Sequence, residues 1–330
     1  MMNLTRRNLF AGAAAAGAAT ALTPLAGRSA QRAEPPAGKQ APGIYRYKIG
    51  DYEVTQVADG ARTFPMPDNF VTGATPAEAK KALTDAYMPE GKLTIMFNPM
   101  VVNTGSKLVL IDTGNGPGAY AQTKGAVGQL HGNLEAAGID RKAIDIVLIS
   151  HMHGDHINGI RNADGTPAFP NAEIMVPTGE WAFWMDDANK SKANPYNQNY
   201  FPNVKKVMTG LESKVTKYEW GKEIIPGIHS IATPGHTPGH TSFMVQSGNG
   251  KLLVQSDVCN NPAMFMDHTD WVAPFDNDPA LTLKTRHKFY DMASSEKVLV
   301  AGYHFSFPAV GHVEKNGKNF RLVPVLWTPV

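Results

Sequence analysis

The chain predicts an α/β fold in a single domain, and three observations predict it. From residue 43 onward, short β-type runs alternate with helix-type patterns, as interleaved strands and helices do. Pro-rich linker composition is confined to residues 31–42, QRAEPPAGKQAP, and no second linker follows. The 330 residues are 42% hydrophobic and 18% charged, which is enough apolar side chain for one large core. The formal charge is +2. Arg6, Arg7 and Arg28 fall in the first thirty residues, which hold no acid, so the remainder sits at about −1. Such a body has no electrostatic footprint for a polyanion, which excludes nucleic-acid binding by phosphate neutralisation. The single cysteine, Cys259, excludes a disulfide framework and a cysteine-based zinc ribbon. Metal chemistry would fall to the eleven histidines and the carboxylates.

Taken in order, residues 1–30 begin with Arg6-Arg7, run on as an Ala/Gly-rich stretch and close on small residues. That is the build of a secretory signal peptide, and Arg6-Arg7 with Leu9-Phe10 resembles a twin-arginine export signal; the alternative is a disordered Ala-rich tail. The expected address is periplasmic or secreted, with the chain exported folded. No other long apolar run follows, so no membrane span is expected after signal removal. Residues 45–49 and 52–57 alternate as adjacent strands turning at Gly50-Asp51. Thr75-Pro76-Ala77-Glu78 is a capping box with proline at the first helical position, so a helix is expected over 76–87. Residues 94–103 and 107–112 are expected to pair as a hairpin through Thr104-Gly105. A helix over 120–137, stopped by Gly138, and a buried strand over 144–150 follow. Next come a strand at 173–177, a helix at 178–187, a polar stretch at 186–203, and strands near 228–232, 241–246 and 252–256. Asp278-Pro279 opens a helix to about 292, and 298–301 is a last buried strand.

The chemistry concentrates after the strand at 144–150. His151-Met152-His153-Gly154-Asp155-His156 places four metal-competent side chains in six residues. On a loop past a buried strand, two of them can project to one side and two to the other across the flexible Gly154, so two ions can share the loop. The other strand ends offer three more candidates: His236 in the Gly/Pro-shaped turn 233–240, Asp257 closing an apolar strand, and His304 after Gly302-Tyr303. A buried aspartate at such a point needs a cation or dedicated donors. Alone, each is more often a hydrogen-bonded structural residue; it is their order after the histidine loop that makes them candidates.

The order Ile111-Asp112-Thr113-Gly114, His151-x-His153-x-Asp155-His156, Gly235-His236-Thr237-Pro238-Gly239-His240, Asp257, His304 resembles the metallo-β-lactamase superfamily. Within it, the chain resembles methyl parathion hydrolase and related lactonases. That likeness is carried by residues 41–47 (APGIYRY), 102–110 (VNTGSKLVL), Phe305-Ser306-Phe307-Pro308 and Gly311-His312. The resemblance covers residues 41–330 and implies an αββα sandwich, two sheets covered by helices. It implies that one ion takes His151, His153 and His236, that the other takes Asp155, His156 and His304, and that Asp257 bridges them. Such N and O ligands suit Zn²⁺ and admit Mn²⁺ or Co²⁺. Asp112 is expected to orient a ligand imidazole; His240 either does the same or pins a loop. Cys259 reads as a small core residue.

Two ions sharing a water lower its pKa toward neutrality, so the resemblance implies hydrolysis by a metal-bridging hydroxide, with Asp155 and Asp257 at the catalytic centre. The implied substrates are small neutral esters: lactones, aryl esters and organophosphate triesters such as methyl parathion. The alternatives are hydrolytic dehalogenation of chlorinated aromatic nitriles, a β-lactamase, and a di-iron electron-transfer module of the same fold. The resemblance implies that Phe183 and Trp184, with Trp181 beside them, line the substrate pocket, the alternative being core; Phe70, Phe97 and Phe265 have no assigned place. Residues 186–203 form either a lid or a solvated connection. Relatives of this group commonly dimerise, which leaves a homodimer open.

Overall fold

Two seven-stranded mixed sheets form the centre of the molecule. The computed structural model describes residues 37–330; the signal peptide expected over 1–30 lies outside them. The first sheet runs Ile44–Ile49, Tyr52–Val57, Met100–Asn103, Leu108–Ile111, Ile146–Leu148, Glu173–Pro177, Val215–Tyr218. Its first four strands pair antiparallel and its last four parallel. The second runs Glu223–Ile225, Ile228–Ala232, Thr241–Ser247, Gly250–Ser256, Leu299–Gly302, Val310–Asn316, Asn319–Pro324, with one parallel pair, Gly250–Ser256 on Leu299–Gly302.

Period-two alternation puts the sheets face to face. Val109 and Ile111 join Leu252, Val254 and Phe243 in the core between the sheets. Leu110 points the other way, onto Leu130, Leu134 and Phe201. Leu253 and Val300 meet Phe289, Tyr290 and Ala293 of the Pro279–Glu296 helix. Both faces of each sheet are thereby covered, which is the helix–sheet–sheet–helix sandwich. No described helix is long and apolar enough to cross a membrane.

Several boundaries differ from expectation. The capped helix begins at Pro76 with both bonds of its capping box made, and it ends at Asp85. The strand expected over 94–103 divides at Asn98-Pro99, where Pro99 has no N–H for a ladder. Lys92–Phe97 pairs with Gly60–Pro65 in a separate small sheet, while Met100–Asn103 makes the hairpin with Leu108–Ile111. The helix expected over 120–137 is two, Gly116–Gln122 and Leu130–Ala136. Gly128 between them has φ +80, and a Cβ there would lie 2.4 Å from the Gly116 carbonyl oxygen, so the chain turns where a helix would have continued. The strand at 144–150 shortens to Ile146–Leu148, which frees Ile149 and Ser150 to lead into the histidine loop. The helix from Thr178 stops at Trp184.

Candidate metal centre

All seven residues singled out in the sequence converge at one end of the sandwich. The parallel strands Leu108–Ile111 and Ile146–Leu148 end there, as do Gly250–Ser256 and Leu299–Gly302 of the other sheet. Asp112, at φ +59, and Ser256, at φ +52, take the left-handed conformation just past their strands. Such strain is uncommon in residues with a Cβ and clusters at functional sites. Here it swings Asp112 under the histidine loop and turns the chain at Asp257 toward the cleft.

Three overlapping groups of three residues each bring their ligand atoms within 4.8 Å of one another: His151, His153 and His236; His151, His156 and Asp257; Asp155, His156 and His304. In the first, His153 Nδ1 lies 3.2 Å from His151 Nε2 and 3.0 Å from His236 Nε2. In the third, Asp155 Oδ2 lies 3.6 Å from both His156 Nε2 and His304 Nε2. Asp257 stands between them, its Oδ2 3.0 Å from His304 Nε2 and 3.4 Å from His236 Nε2, its Oδ1 3.3 Å from His156 Nε2.

What lies behind each imidazole decides what it offers in front. The Nδ1–H of His156 donates to Asp112 Oδ2 (2.8 Å), that of His236 to Asp276 Oδ1 (2.9 Å), that of His304 to the Met96 carbonyl (2.7 Å) and that of His151 to Ser150 Oγ (3.1 Å). Ser150 Oγ can accept because its own proton goes to Asp112 Oδ2 at 2.7 Å. A neutral imidazole whose Nδ1 carries the proton presents a lone pair at Nε2. Four lone pairs and a carboxylate therefore face one small buried space. His156 Nε2 and Asp257 Oδ1 are buried there without hydrogen-bond partners, an arrangement that is costly in an apolar interior. A divalent cation removes that cost, and the residues present fit two. Burial, with the neighbouring imidazoles, holds His151 and His153 well below the usual histidine range, so they stay in the neutral, ligating form. For His156 burial also lowers the pKa, but Asp257, Asp155 and Asp112 outweigh it and raise it well above that range. The carboxylates thus call for positive charge at this place.

His240 and Asp112 touch the cluster from behind. His240 Nδ1–H donates to Thr233, and its Nε2 accepts the Asp257 N–H at 3.0 Å. Burial lowers its pKa to about 3, so it remains the neutral acceptor that this bond requires. Cys259 is fully buried and burial pushes its thiol up to about 12, in keeping with a core residue.

The aromatic assignment needs correction. Trp184 is fully buried, its indole N–H donates to Glu180 Oε2 (2.7 Å), and its ring packs edge-on behind His153 with centroids 5.7 Å apart. Phe183 packs on Trp184 and Phe201. Neither lines the cleft, because their helix lies on the outer face of the first sheet. The cleft, about 930 Å³, has Phe70, Phe97, Tyr196, Tyr200 and Phe275 as its apolar wall and Asn115, Asn158, Asn203 and Asn260 as polar groups, with His153, Asp155, His236, Asp257 and His304 at its base. Phe265 lies in the core. The stretch 186–203 supplies two of those aromatics. Asn194 Nδ2 donates to the Asp276 carbonyl (2.9 Å) and Asn197 Nδ2 to that of Phe275 (3.1 Å), so the segment is a tied wall of the cleft.

Sequence reasoning missed Asp276, Asn260 and Glu180. Asp276 sits in a loop whose residues carry no local signal. Asn260, which donates to Asp257 Oδ2 at 3.0 Å, is one asparagine among many. Glu180 did carry a signal: an acid four residues before Trp184 on an otherwise apolar helix face.

Residues 98–302 match the metallo-beta-lactamase superfamily. The chain belongs to that superfamily. Among solved structures, this superfamily member is similar to AidC, a dizinc quorum-quenching lactonase, at 26% identity and a TM-score of 0.81, over 87% of this chain and 99% of the other. It is equally similar to the hydrolase AbOPH, at 27% identity and a TM-score of 0.80, over 88% and 100%. An N-acyl homoserine lactonase of Bacillus cereus is 27% identical over 168 residues, 51% of this chain and 58% of the relative. One of Bacillus thuringiensis is 25% identical over 192 residues, 58% and 64%. The chain thus spans about three fifths of the curated relatives it matches.

Proposed function

We propose that this chain is a two-ion hydrolase of small neutral esters, with lactones and aryl esters foremost and phosphotriesters a further class. The observation that carries the reading is the convergence of four imidazole lone pairs and the Asp257 carboxylate on one buried space beneath an aromatic cleft. His151, His153 and His236 would hold one ion, Asp155, His156 and His304 the other, and Asp257 both; zinc fits the donor set. Such a pair supplies Lewis acidity and an activated water at neutral pH.

The chain's own residues do the rest. Asp112 and Asp276 keep His156 and His236 in the tautomer that points Nε2 forward. His240 and Asn260 hold Asp257 by its backbone N–H and by Oδ2. Asp155 is the cluster member with the greatest exposure to the cleft, its side chain 24% accessible, so its carboxylate is placed to take a proton from the attacking water and pass it to the departing oxygen. The wall formed by Phe70, Phe97, Tyr196, Tyr200 and Phe275 favours an uncharged, apolar ester and excludes water around it. The named lactonase relatives support the lactone as first choice. The export reading of residues 1–30 belongs to the same proposal and rests on Arg6-Arg7 and the Ala/Gly-rich run.

A panel of γ- and δ-lactones, aryl acetates, aryl phosphotriesters and chlorinated aromatic nitriles tests this. Turnover of lactones or aryl esters, lost on chelation and in Asp257→Ala, is the expected result. Chloride release from the nitriles with no ester turnover would favour the dehalogenase, and no turnover of any class would overturn the proposal.

A further inference from the structure

Glu180 is fully buried near the start of the Thr178–Trp184 helix, where the cluster's ligand list has no use for it. Its carboxylate accepts three hydrogen bonds. Oε2 takes the backbone N–H of Met152 at 2.9 Å and the indole N–H of Trp184 at 2.7 Å, and Oε1 takes the backbone N–H of Gly239 at 2.8 Å. Met152 lies between His151 and His153, and Gly239 belongs to the turn that carries His236. One carboxylate therefore ties the two loops that supply the three-imidazole group. The approach is close: a Cβ on Gly239 would fall 2.3 Å from the Glu180 backbone nitrogen, so only glycine lets the turn reach the helix. Trp184, held by the same carboxylate, packs edge-on against His153. All three partners are neutral N–H groups, and a buried carboxylate without a cation beside it is expensive unless its donors are well placed.

We propose that Glu180 is the positioning residue for the three-imidazole half of the site. By fixing the Met152 and Gly239 backbones it sets the mutual placement of His151, His153 and His236 and leaves Asp155, His156 and His304 untouched. The inference rests on the two-ion reading of the site. Three donors require a group that only accepts. A carboxamide at 180 turns an NH₂ toward at least one of them, and aspartate is one methylene too short to span both loops.

The test is a calorimetric and spectroscopic titration of metal-stripped full-length chain with Co²⁺, for the wild type, Glu180→Gln, Glu180→Asp and Trp184→Phe. Two single-ion references, His153→Ala and Asp155→Ala, are run beside them. The wild type is expected to bind two ions. Glu180→Gln should keep one tight ion and bind the other at least about tenfold more weakly, the retained ion giving the spectrum of His153→Ala. Trp184→Phe leaves both backbone bonds of the carboxylate in place and should bind two ions as the wild type does. Unchanged two-ion binding in Glu180→Gln, equal weakening of both ions, or the same loss in Trp184→Phe would overturn the inference. So would failure of both Glu180 variants to fold by circular dichroism, which would assign the residue to the fold. A wild type that binds fewer than two ions would instead defeat the two-ion reading itself.

Discussion

His236 shows how a single ligand is made. Its Nε2 faces the cluster because Asp276 Oδ1 takes the Nδ1 proton, and Asp276 is in turn held by the Ala273 N–H at 3.1 Å, with the Arg286 guanidinium 3.9 Å away. A carboxylate behind a ligating imidazole fixes its tautomer and direction and raises its basicity. Asp276→Asn is therefore expected to weaken binding of the ion at His151, His153 and His236 by about 10–100-fold, read by competition with a chromophoric chelator; unchanged affinity would remove Asp276 from the site. Asp59 contributes a pH dependence of stability with a definite sign. It accepts from the backbone N–H groups of Asn115, Gly128 and Leu130 and from the Asn115 side chain. Burial raises its pKa to about 6 despite those donors. Its folded-state value lies above the unfolded one, near 4. Its contribution to stability is therefore fully present below about pH 4 and is lost as pH rises through about 6. The difference in melting temperature between wild type and Asp59→Asn should shift against the wild type over that window; a flat difference would contradict this.

At the scale of elements, the helix over Pro76–Asp85 is marked by its cap. Thr75→Ala removes both side-chain bonds to Glu78 and should cost about 1 kcal/mol in chemical denaturation. The segment 186–203 shapes the cleft through Tyr196 and Tyr200, the latter tilted over His153 with ring centroids 4.6 Å apart. Phe275 contacts Tyr196 across the same cleft. Phe275→Ala should raise KM for an aryl ester more than it lowers kcat, since it removes uniform binding of the apolar group, whereas a loss confined to kcat would place Phe275 in the chemistry. The elements also show where sequence reading reaches its limit. Capping box, strand alternation and the six-residue histidine loop are local patterns, legible because their physics lies within a few residues. The break at Asn98-Pro99 and the turn through Gly128 were not legible as such, because their cause is tertiary. Asn98 reaches the Tyr303 and Phe305 carbonyls, and Gly128 abuts Gly116. The Trp184 assignment failed for the same reason: buried and pocket aromatics look alike until the face of the sheet is known.

For the whole molecule, the centre draws its side chains from both sheets at one end of the sandwich. His151, His153, Asp155 and His156 follow the first, while His236, Asp257 and His304 follow strands of the second. The motif order pointed to this convergence; Asp276 and Asn260, which support His236 and Asp257 without any local pattern, could be found only once the two halves were brought together. A pair of ions that binds the folded chain and not the unfolded one stabilises it by mass action, so a chelator should lower the melting temperature reversibly, and re-addition of Zn²⁺ should restore it. The most direct measurement is anomalous diffraction at the zinc edge from crystals of the zinc-loaded chain. The account predicts two peaks, one enclosed by His151, His153 and His236 and one by Asp155, His156 and His304, with the Asp257 carboxylate between them. A single peak, or peaks away from these side chains, would contradict it.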